Sequence, residues 1–532
     1  MSQTVAQGII SLLQSNGINN IFGVIGDAAF PFFDELGKQD KIKYYGASHE
    51  VGAAFMASYQ AKLTGKASVC VATSGPGTAN LINGLAEAYF DQAPLLAITG
   101  QVSTKKIGTN AKQYLNQQQL LQSVTMSSEL VTSAESALPV LAKALAQAVN
   151  NKTVTHVSIP EDLFSQALPN SVKPQITVNT GNSWGTGFAD QLEKIIPMLN
   201  SSQKNLIIVG QAKQVWRKNL IKLAFKLNAG IILAQQAKGV IPDNHPTVIG
   251  GIGQANAPTI IGQADNILLV GTASFEKKFI PSNTQLIQLA EKSTAVDYGR
   301  ASQYIIGDLA QLIKLLAERV NKKQNTDWLE AITAEKQGLV NMIAQQEQTN
   351  TTPIQPAYLM ITLSKTVPAN ATIVCDIGGF IHWFDTYFQA QDQNILVSSH
   401  WRSMGGGLPG ALSACIARPD RAAVALVGDG GLLMSLGELA TAVKYKLPVI
   451  VVVANNHQYN LEKSMMETTG MTPFGYDIKV PDFSKLAQAF GAKGKSVTQA
   501  EQLEEALIES FTDNETTVID VHLSDISLPI LK

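Results

Sequence analysis

The stretch AAVALVGDGG, residues 422–431, decides the fold. Its first six residues are all apolar, as in a short strand buried on both faces, and the Gly428-Asp429-Gly430-Gly431 that closes it reads as a tight strand-to-helix turn. A helical pattern, LLMSLGELATAVKYK (432–446), follows, and Pro448 then opens a second apolar run, VIVVVA (449–454), that ends in Asn455-Asn456. Strand, helix and strand in this order form a crossover unit, so the two strands are parallel and finish at the same sheet edge. Asp429 and Asn456 therefore share the edge where open α/β sheets bind their ligands. A carboxylate and an amide oxygen are hard donors suited to octahedral Mg²⁺, which takes its remaining oxygens from phosphate and water. The glycines allow close approach of a diphosphate, whose charge suits the N–H groups at a helix start. GDG by itself reads more often as a plain turn followed by an Asn-rich loop; its neighbours change that balance.

Outward from this unit, the same rhythm recurs twice upstream. NIFGVIG, KIKYYGA, ASVCVAT and PLLAITG alternate with helical patterns in a first unit, residues 1–165. NLIIVG, GIILAQ, NILLVG and QLIQLA do so in a central unit, 185–322, after a polar linker that includes LPNSVKPQITVNTGNSWGTG. A charged helical connector around Trp328 to Glu347 leads into the third unit, 352–532, whose strands include TIVCDIG and TTVIDVHL. The fold class is α/β, with three doubly wound parallel-sheet domains. A length of 532 residues agrees with about three domains, and 45% hydrophobic against 15% charged residues supplies large buried sheets. A net charge of −2 with no basic run argues against nucleic-acid binding. The N-terminal MSQTVAQGIISLLQSNGINN is an amphipathic helix without a basic leader, and VIVVVA is too short to span a bilayer, so a cytoplasmic protein without membrane attachment is expected. Cys70, Cys375 and Cys415 lie far apart in apolar runs and read as reduced core residues.

Upstream of the GDGG turn stand Met404-Gly405-Gly406-Gly407-Leu408-Pro409, Leu412-Ser413 and Pro419. With GDG and the NN that follows, Asp429 and Asn456 being 27 positions apart, the arrangement resembles the signature of thiamine-diphosphate enzymes. The resemblance implies that the Asp429 carboxylate, the Asn456 side chain and the main-chain carbonyl of Gln458 bind Mg²⁺, with Gly428, Gly430 and Gly431 at the diphosphate. It implies that Met404 is the bulky residue on which the cofactor bends; taken alone, a methionine there is equally core filler. Gly378 and Gly379, in the strand-end segment beginning at Asp376, resemble another diphosphate-facing loop of the family.

In the first unit, His49-Glu50 follows KIKYYGA and opens an apolar helix, VGAAFMASYQA, before TGK, a strand and TSGPGTANLINGLAEA. This order resembles the pyrimidine-binding domain of the acetohydroxyacid synthase and pyruvate oxidase group. Cofactor chemistry requires a carboxylate against the pyrimidine ring to promote its imino tautomer, and the resemblance assigns that role to Glu50, with Pro76 and Asn80 in the loop beside it. A glutamate in a first helical turn also suits the helix dipole. The resemblance further implies a homo-oligomer, a dimer at least and commonly a tetramer, because the Glu-bearing domain of one subunit faces the metal-bearing domain of another.

Three further residues are substrate-pocket candidates. Asp27, in FGVIGDAAFPFFDEL, stands where relatives carry a loop over the reacting carbon, or else caps the next helix. Gln113, in IGTNAKQYLNQ, aligns with a family glutamine that bonds bound intermediates, although Lys112 and Tyr114 depart from the pattern. Glu462, in NNHQYNLEK, resembles the glutamate of 2-oxo acid decarboxylases, or else is a solvated carboxylate paired with Lys463. The central GTASFEKKFIPSNTQLIQL resembles a flavin-binding segment with Lys277 at its arginine, but Ala290 stands at its aspartate, so FAD is left open. The expected function is decarboxylation of a small 2-oxo acid, pyruvate favoured, through a hydroxyalkyl-cofactor intermediate as in the acetolactate synthase and pyruvate oxidase group. The alternatives are a simple decarboxylase releasing an aldehyde and a noncatalytic thiamine-diphosphate-binding protein. An NAD-type site is disfavoured, since no GxGxxG follows a first strand.

Overall fold

A computed structural model describes residues 3–169, 188–253, 256–272, 275, 277–349 and 351–525. The greater part of the expected linker and the side chain of Lys277 lie outside the described residues. The first sheet holds β1 (Asn20–Gly23), β2 (Lys43–Gly46), β3 (Ser68–Ala72), β4 (Leu95–Gln101), β5 (Ser127–Leu130) and β6 (Val154–Pro160), in the order β2-β1-β3-β4-β6-β5. The central sheet holds β7 (Asn205–Val209), β8 (Gly230–Ala234), β9 (Val248–Ile252), β10 (Asn266–Val270), β11 (Gln285–Ala290) and β12 (Gln303–Ile306), in the order β12-β11-β10-β7-β8-β9. The third holds β13 (Thr372–Cys375), β14 (Asn394–Val397), β15 (Ala423–Gly428), β16 (Val449–Asn455), β17 (Lys493–Val497) and β18 (Thr517–His522), in the order β14-β13-β15-β16-β18-β17.

Neighbouring strands within all three sheets are parallel, as the apolar runs require. The first and third sheets have the same strand order, whereas the central one has the six-strand order of dinucleotide-binding folds. β15 and β16 pair with Gly428 opposite Ala454, so the GDGG turn and the Asn455-Asn456 end do meet at one edge.

The helix Glu50–Thr64 is buried from Gly52 through Ala61, on every side rather than along one stripe. It lies between the first sheet and the helix Gly407–Ala417 of the third domain, and Phe55, Met56, Leu408, Leu412 and Val427 belong to one continuous core. The small residues of this helix thus serve close packing between two domains. All three cysteines are buried and free. Among the described residues no helix is long and apolar enough to cross a membrane.

Candidate active site

Asp429 is the first residue of the helix Asp429–Ser435, placed there because β15 runs straight into the glycine turn. It is 4% exposed; its Oδ1 accepts the Gly430 N–H at 2.8 Å, and its Oδ2 is buried without a partner. Burial pushes the carboxyl pKa up, against the pull of the main-chain N–H groups of Gly430, His457 and Asn456. A buried carboxylate oxygen without a hydrogen-bond partner is costly unless a cation supplies the missing charge.

Beside it, Asp376 at the end of β13 is 1% exposed and accepts N–H groups from Ile377 at 2.8 Å and Gly405 at 3.0 Å. Burial raises its pKa to about 6 despite those donors. A Cβ on Gly431 would stand 2.6 Å from its Oδ2, and one on Gly407 2.8 Å from its Cβ, so glycine is required where three loops converge on this carboxylate. The sequence offered Asp376 as part of a loop, and its place at a strand end was the signal for the larger role of tying those loops together.

These loops enclose a cavity of about 360 Å³. Gly378, Gly379, Met404, Gly428, Asp429, Gly430, Gly431, Asn456, Gln458 and Glu462 all line it. The Gln458 side-chain amide bonds Asp525, which leaves its main chain for any metal contact. Glu462 stands in the first turn of the helix Asn460–Thr468, and Lys463 pairs with Asp525 at 2.6 Å rather than with Glu462. Phe380, Trp383 and Arg402 are among the other residues of the wall, with no motif in the sequence to announce them; Arg402 is the one cation among the lining residues.

The first-domain candidates gather separately, at the carboxyl ends of β1, β2 and β3. Glu50 opens its helix behind the N-cap His49, whose side chain accepts the Val51 N–H. Asn80 Nδ2 donates to Glu50 Oε2 at 3.0 Å, and a Cβ on Gly77 would stand 3.2 Å from Glu50 Oε1. Pro76 begins the short helix Pro76–Asn80 after Gly75, whose φ of +58° needs a glycine; a Cβ there would also meet the Gln113 carbonyl at 2.6 Å. Gln113 is itself left-handed, with φ of +62°. Asp27 Oδ1 accepts the N–H of Ala28 at 2.9 Å and the hydroxyl of Thr73 at 3.3 Å. It opens the 3-10 turn Asp27–Ala29, and the N-cap of the helix Phe30–Gly37 is Ala29. None of these five residues lines the Asp429 cavity.

Three stretches of the chain match parts of one enzyme family: 3–120 the "Thiamine pyrophosphate enzyme, N-terminal TPP binding domain", 192–316 its central domain and 376–521 its C-terminal TPP binding domain. Among the relatives, the protein YdaP of Bacillus subtilis is 32% identical over 98% of this chain and 92% of its own. The chain belongs to the thiamine pyrophosphate enzymes. Within this family it is also similar to the acetolactate synthase isozyme 2 large subunit of Escherichia coli, at 30% identity over 94% of this chain and 92% of the other. The pyruvate oxidase of Lactiplantibacillus plantarum is 28% identical over 98% of this chain and 89% of its own.

For a thiamine pyrophosphate enzyme the third-domain cavity has a fitting donor set. The unpartnered Asp429 oxygen suits a divalent cation, and glycines line the space beside it without side chains to exclude a diphosphate. At the carboxyl ends of β7 and β10 a crevice of about 160 Å³, lined by Lys152 and Glu291, which pair with each other, adjoins one of about 340 Å³ lined by Gln211, Lys213, Gln236 and Lys238.

Proposed function

We propose that this chain catalyses the decarboxylation of a small 2-oxo acid, pyruvate first among them, with thiamine diphosphate and Mg²⁺. The observation that carries the reading is the buried, unpartnered oxygen of Asp429 within a cavity walled by glycines, since a magnesium diphosphate supplies both the charge and the bulk that such a site lacks. Asp429, the Asn456 side chain and the Gln458 carbonyl hold the metal in this reading. Gly378, Gly379, Gly428, Gly430 and Gly431 admit the diphosphate, and Met404 bears on the rings. Glu50, steadied by Asn80 in the loop that begins at Pro76, bonds the pyrimidine and sets its proton. Bound thiamine diphosphate supplies the electron sink for the bond that releases CO₂. Asp27, Gln113 and Glu462 are left to orient the substrate and exchange its proton; the presence of Glu462 on the cavity wall favours an aldehyde product.

A homodimer completes the reading. Glu50 does not line the Asp429 cavity, and exposed apolar side chains flank both half-sites: Ile25 and Phe30 near Asp27, Met434 and Leu433 near Asp429. Burying these faces against each other would bring Glu50 of one subunit to Asp429 of the partner subunit. Pyruvate as substrate is supported by relatives named pyruvate oxidase and acetolactate synthase.

The test is to supply the purified protein with thiamine diphosphate, Mg²⁺ and carboxyl-labelled pyruvate, then to measure CO₂ and identify the product. CO₂ release that is lost in Glu50→Gln is expected. Tight cofactor binding with no CO₂ from a panel of 2-oxo acids would replace this reading with that of a noncatalytic binding protein. A second reading, flavin-dependent oxidation, draws on the dinucleotide strand order of the central sheet. A flavin spectrum in the purified protein would favour it.

A further inference from the structure

Ten residues beyond the start of the metal-side turn, Glu438 opens the helix Glu438–Lys444, yet its side chain serves another domain. It is 2% exposed. Its Oε1 accepts the main-chain N–H of His49 at 3.2 Å and its Oε2 that of Ser48 at 3.3 Å; the Thr441 hydroxyl donates to Oε2 at 2.6 Å. The contact is reciprocal, because the Ser48 hydroxyl donates to the Gly437 carbonyl at 2.6 Å. Gly52, in the first turn of the Glu50 helix, leaves the room this needs: a Cβ there would stand 2.1 Å from Glu438 Oε1.

The two N–H groups that Glu438 receives belong to the residues immediately ahead of Glu50. A strand end carrying a functional side chain has few fixed points of its own, and here the fixing group comes from the domain that carries Asp429. Burial raises the pKa of Glu438, with Thr441, Ser48 and His49 as the opposing donors, so those donors are what a charged form of this residue depends on.

We propose that Glu438 is a positioning residue for Glu50: by gripping the main chain of Ser48 and His49 it sets where the Glu50 carboxylate stands relative to the pyrimidine ring. This rests on the activating role proposed for Glu50. Glu438 itself does not line the Asp429 cavity. Replacing the carboxylate with an amide keeps the volume but puts an N–H₂ where an N–H must be accepted, so at least one of the two main-chain bonds is lost.

The experiment compares Glu438→Gln with wild type by amide hydrogen exchange and by steady-state CO₂ release. Exchange at Ser48 and His49 should rise about tenfold, the effect of losing one hydrogen bond of ordinary strength. Exchange in β16 should stay as it was. The kcat should fall by about tenfold or more while KM for the 2-oxo acid and the affinity for thiamine diphosphate change less than about twofold, the signature of misplacement rather than unfolding. Tyr445→Phe is the control. It removes a bond from the same interface, that from the Gly46 N–H to the Tyr445 hydroxyl oxygen at 2.7 Å, further from Glu50 along the chain, and should leave kcat within about twofold. Unchanged exchange at Ser48 and His49 overturns the proposal, as does faster exchange with wild-type kcat, or an equal loss of kcat in Tyr445→Phe. A wild-type protein silent towards every 2-oxo acid sinks the activity reading, and the grip of Glu438 then stands or falls on the exchange alone. If Glu438→Gln fails to fold, Glu438→Asp, which keeps the charge but shortens the reach, takes its place with the same expected pattern.

Discussion

Single residues show where this chain holds charge against the preference of its surroundings. Asp429 was legible because it ends an apolar strand, the position at which a doubly wound sheet presents its ligands, whereas Asp376, just past the end of β13, was read only as the start of a loop. Asp385 had no such signal: it sits within the helix Phe380–Tyr387, amid aromatic residues, and only tertiary packing reveals its burial. It is 1% exposed, takes a hydrogen bond from Gln235 at 2.6 Å, and has a second oxygen with none. Burial pushes its pKa up to about 7, outweighing the Gln235 bond and the nearby Lys238 and Arg402 charges. The consequence for stability has a definite sign. Below the ordinary carboxylate range Asp385 is protonated in folded and unfolded chains alike and contributes no pH dependence. As pH rises from about 4 to about 7, the unfolded chain releases this proton while the folded one keeps it, so the folded state loses ground, and above that range the penalty is constant. Asp385→Asn removes this contribution. Relative to wild type, the stability of the variant at pH 8 compared with pH 5 should therefore rise by roughly 2 kcal/mol without cofactor, while Asp376, His156 and His382 titrate in both proteins alike. Thermal denaturation at the two pH values measures it, and identical pH profiles for variant and wild type would refute the assignment.

At the scale of elements, the strands that the sequence revealed and those it hid separate by position in the sheet. The central strands β3, β4, β7, β10, β15 and β16 are wholly or almost wholly buried and read as continuous apolar runs. The strands without a clear signal, β5, β9, β12, β14 and β17, are all at sheet edges, where β2, within KIKYYGA, is the one edge strand that was read. β5 is Ser-Ser-Glu-Leu and β17 Lys-Gly-Lys-Ser-Val, partly exposed and polar as edge strands tend to be, so neither periodicity nor composition distinguishes them from loops. The packing of helices was hidden for a related reason. A sequence shows that the helix Glu50–Thr64 is rich in small residues, but not which neighbours come close. Gly84, in the helix Ile82–Phe90, answers part of that question: a Cβ there would stand 2.6 Å from main-chain atoms of Ala54 and Phe55, which cannot rotate aside. Gly84→Ala should therefore destabilise the chain by about 1 to 3 kcal/mol, although alanine is the better helix former. Gly338 provides the contrast. It lies inside the helix Thr326–Glu347 with nothing within 4 Å of an added Cβ, and Gly338→Ala should stabilise by up to about 1 kcal/mol. Denaturant titration of the two variants tests the pair; an equal effect of both would mean that helix propensity, not the approach of the Glu50 helix, sets the cost.

For the whole molecule, the question is how two half-sites carried on one chain come to act together. The first and third domains share a core through the helices Glu50–Thr64 and Gly407–Ala417, and Glu438 joins their working ends, so their relation within a chain is fixed by packing. Yet Glu50 does not line the cavity of Asp429, and rigid packing leaves no hinge by which it could swing there. A site shared between two copies makes a prediction that a site within one chain cannot. Glu50→Gln and Asp429→Ala should each be inactive alone. In a mixed dimer of the two, one centre receives both defects, while the other receives Glu50 from the Asp429→Ala chain and Asp429 from the Glu50→Gln chain, and is whole. Random pairing gives about half mixed dimers with one good centre of two, so unfolding and refolding the two together, or co-expressing them, should restore about a quarter of wild-type CO₂ release. If each site were built within one chain, every centre in the mixture would carry one of the two defects and no activity would return. The recovered fraction thus reads the geometry of assembly directly, and its dependence on total protein concentration during mixing distinguishes exchange of subunits from contamination by wild type.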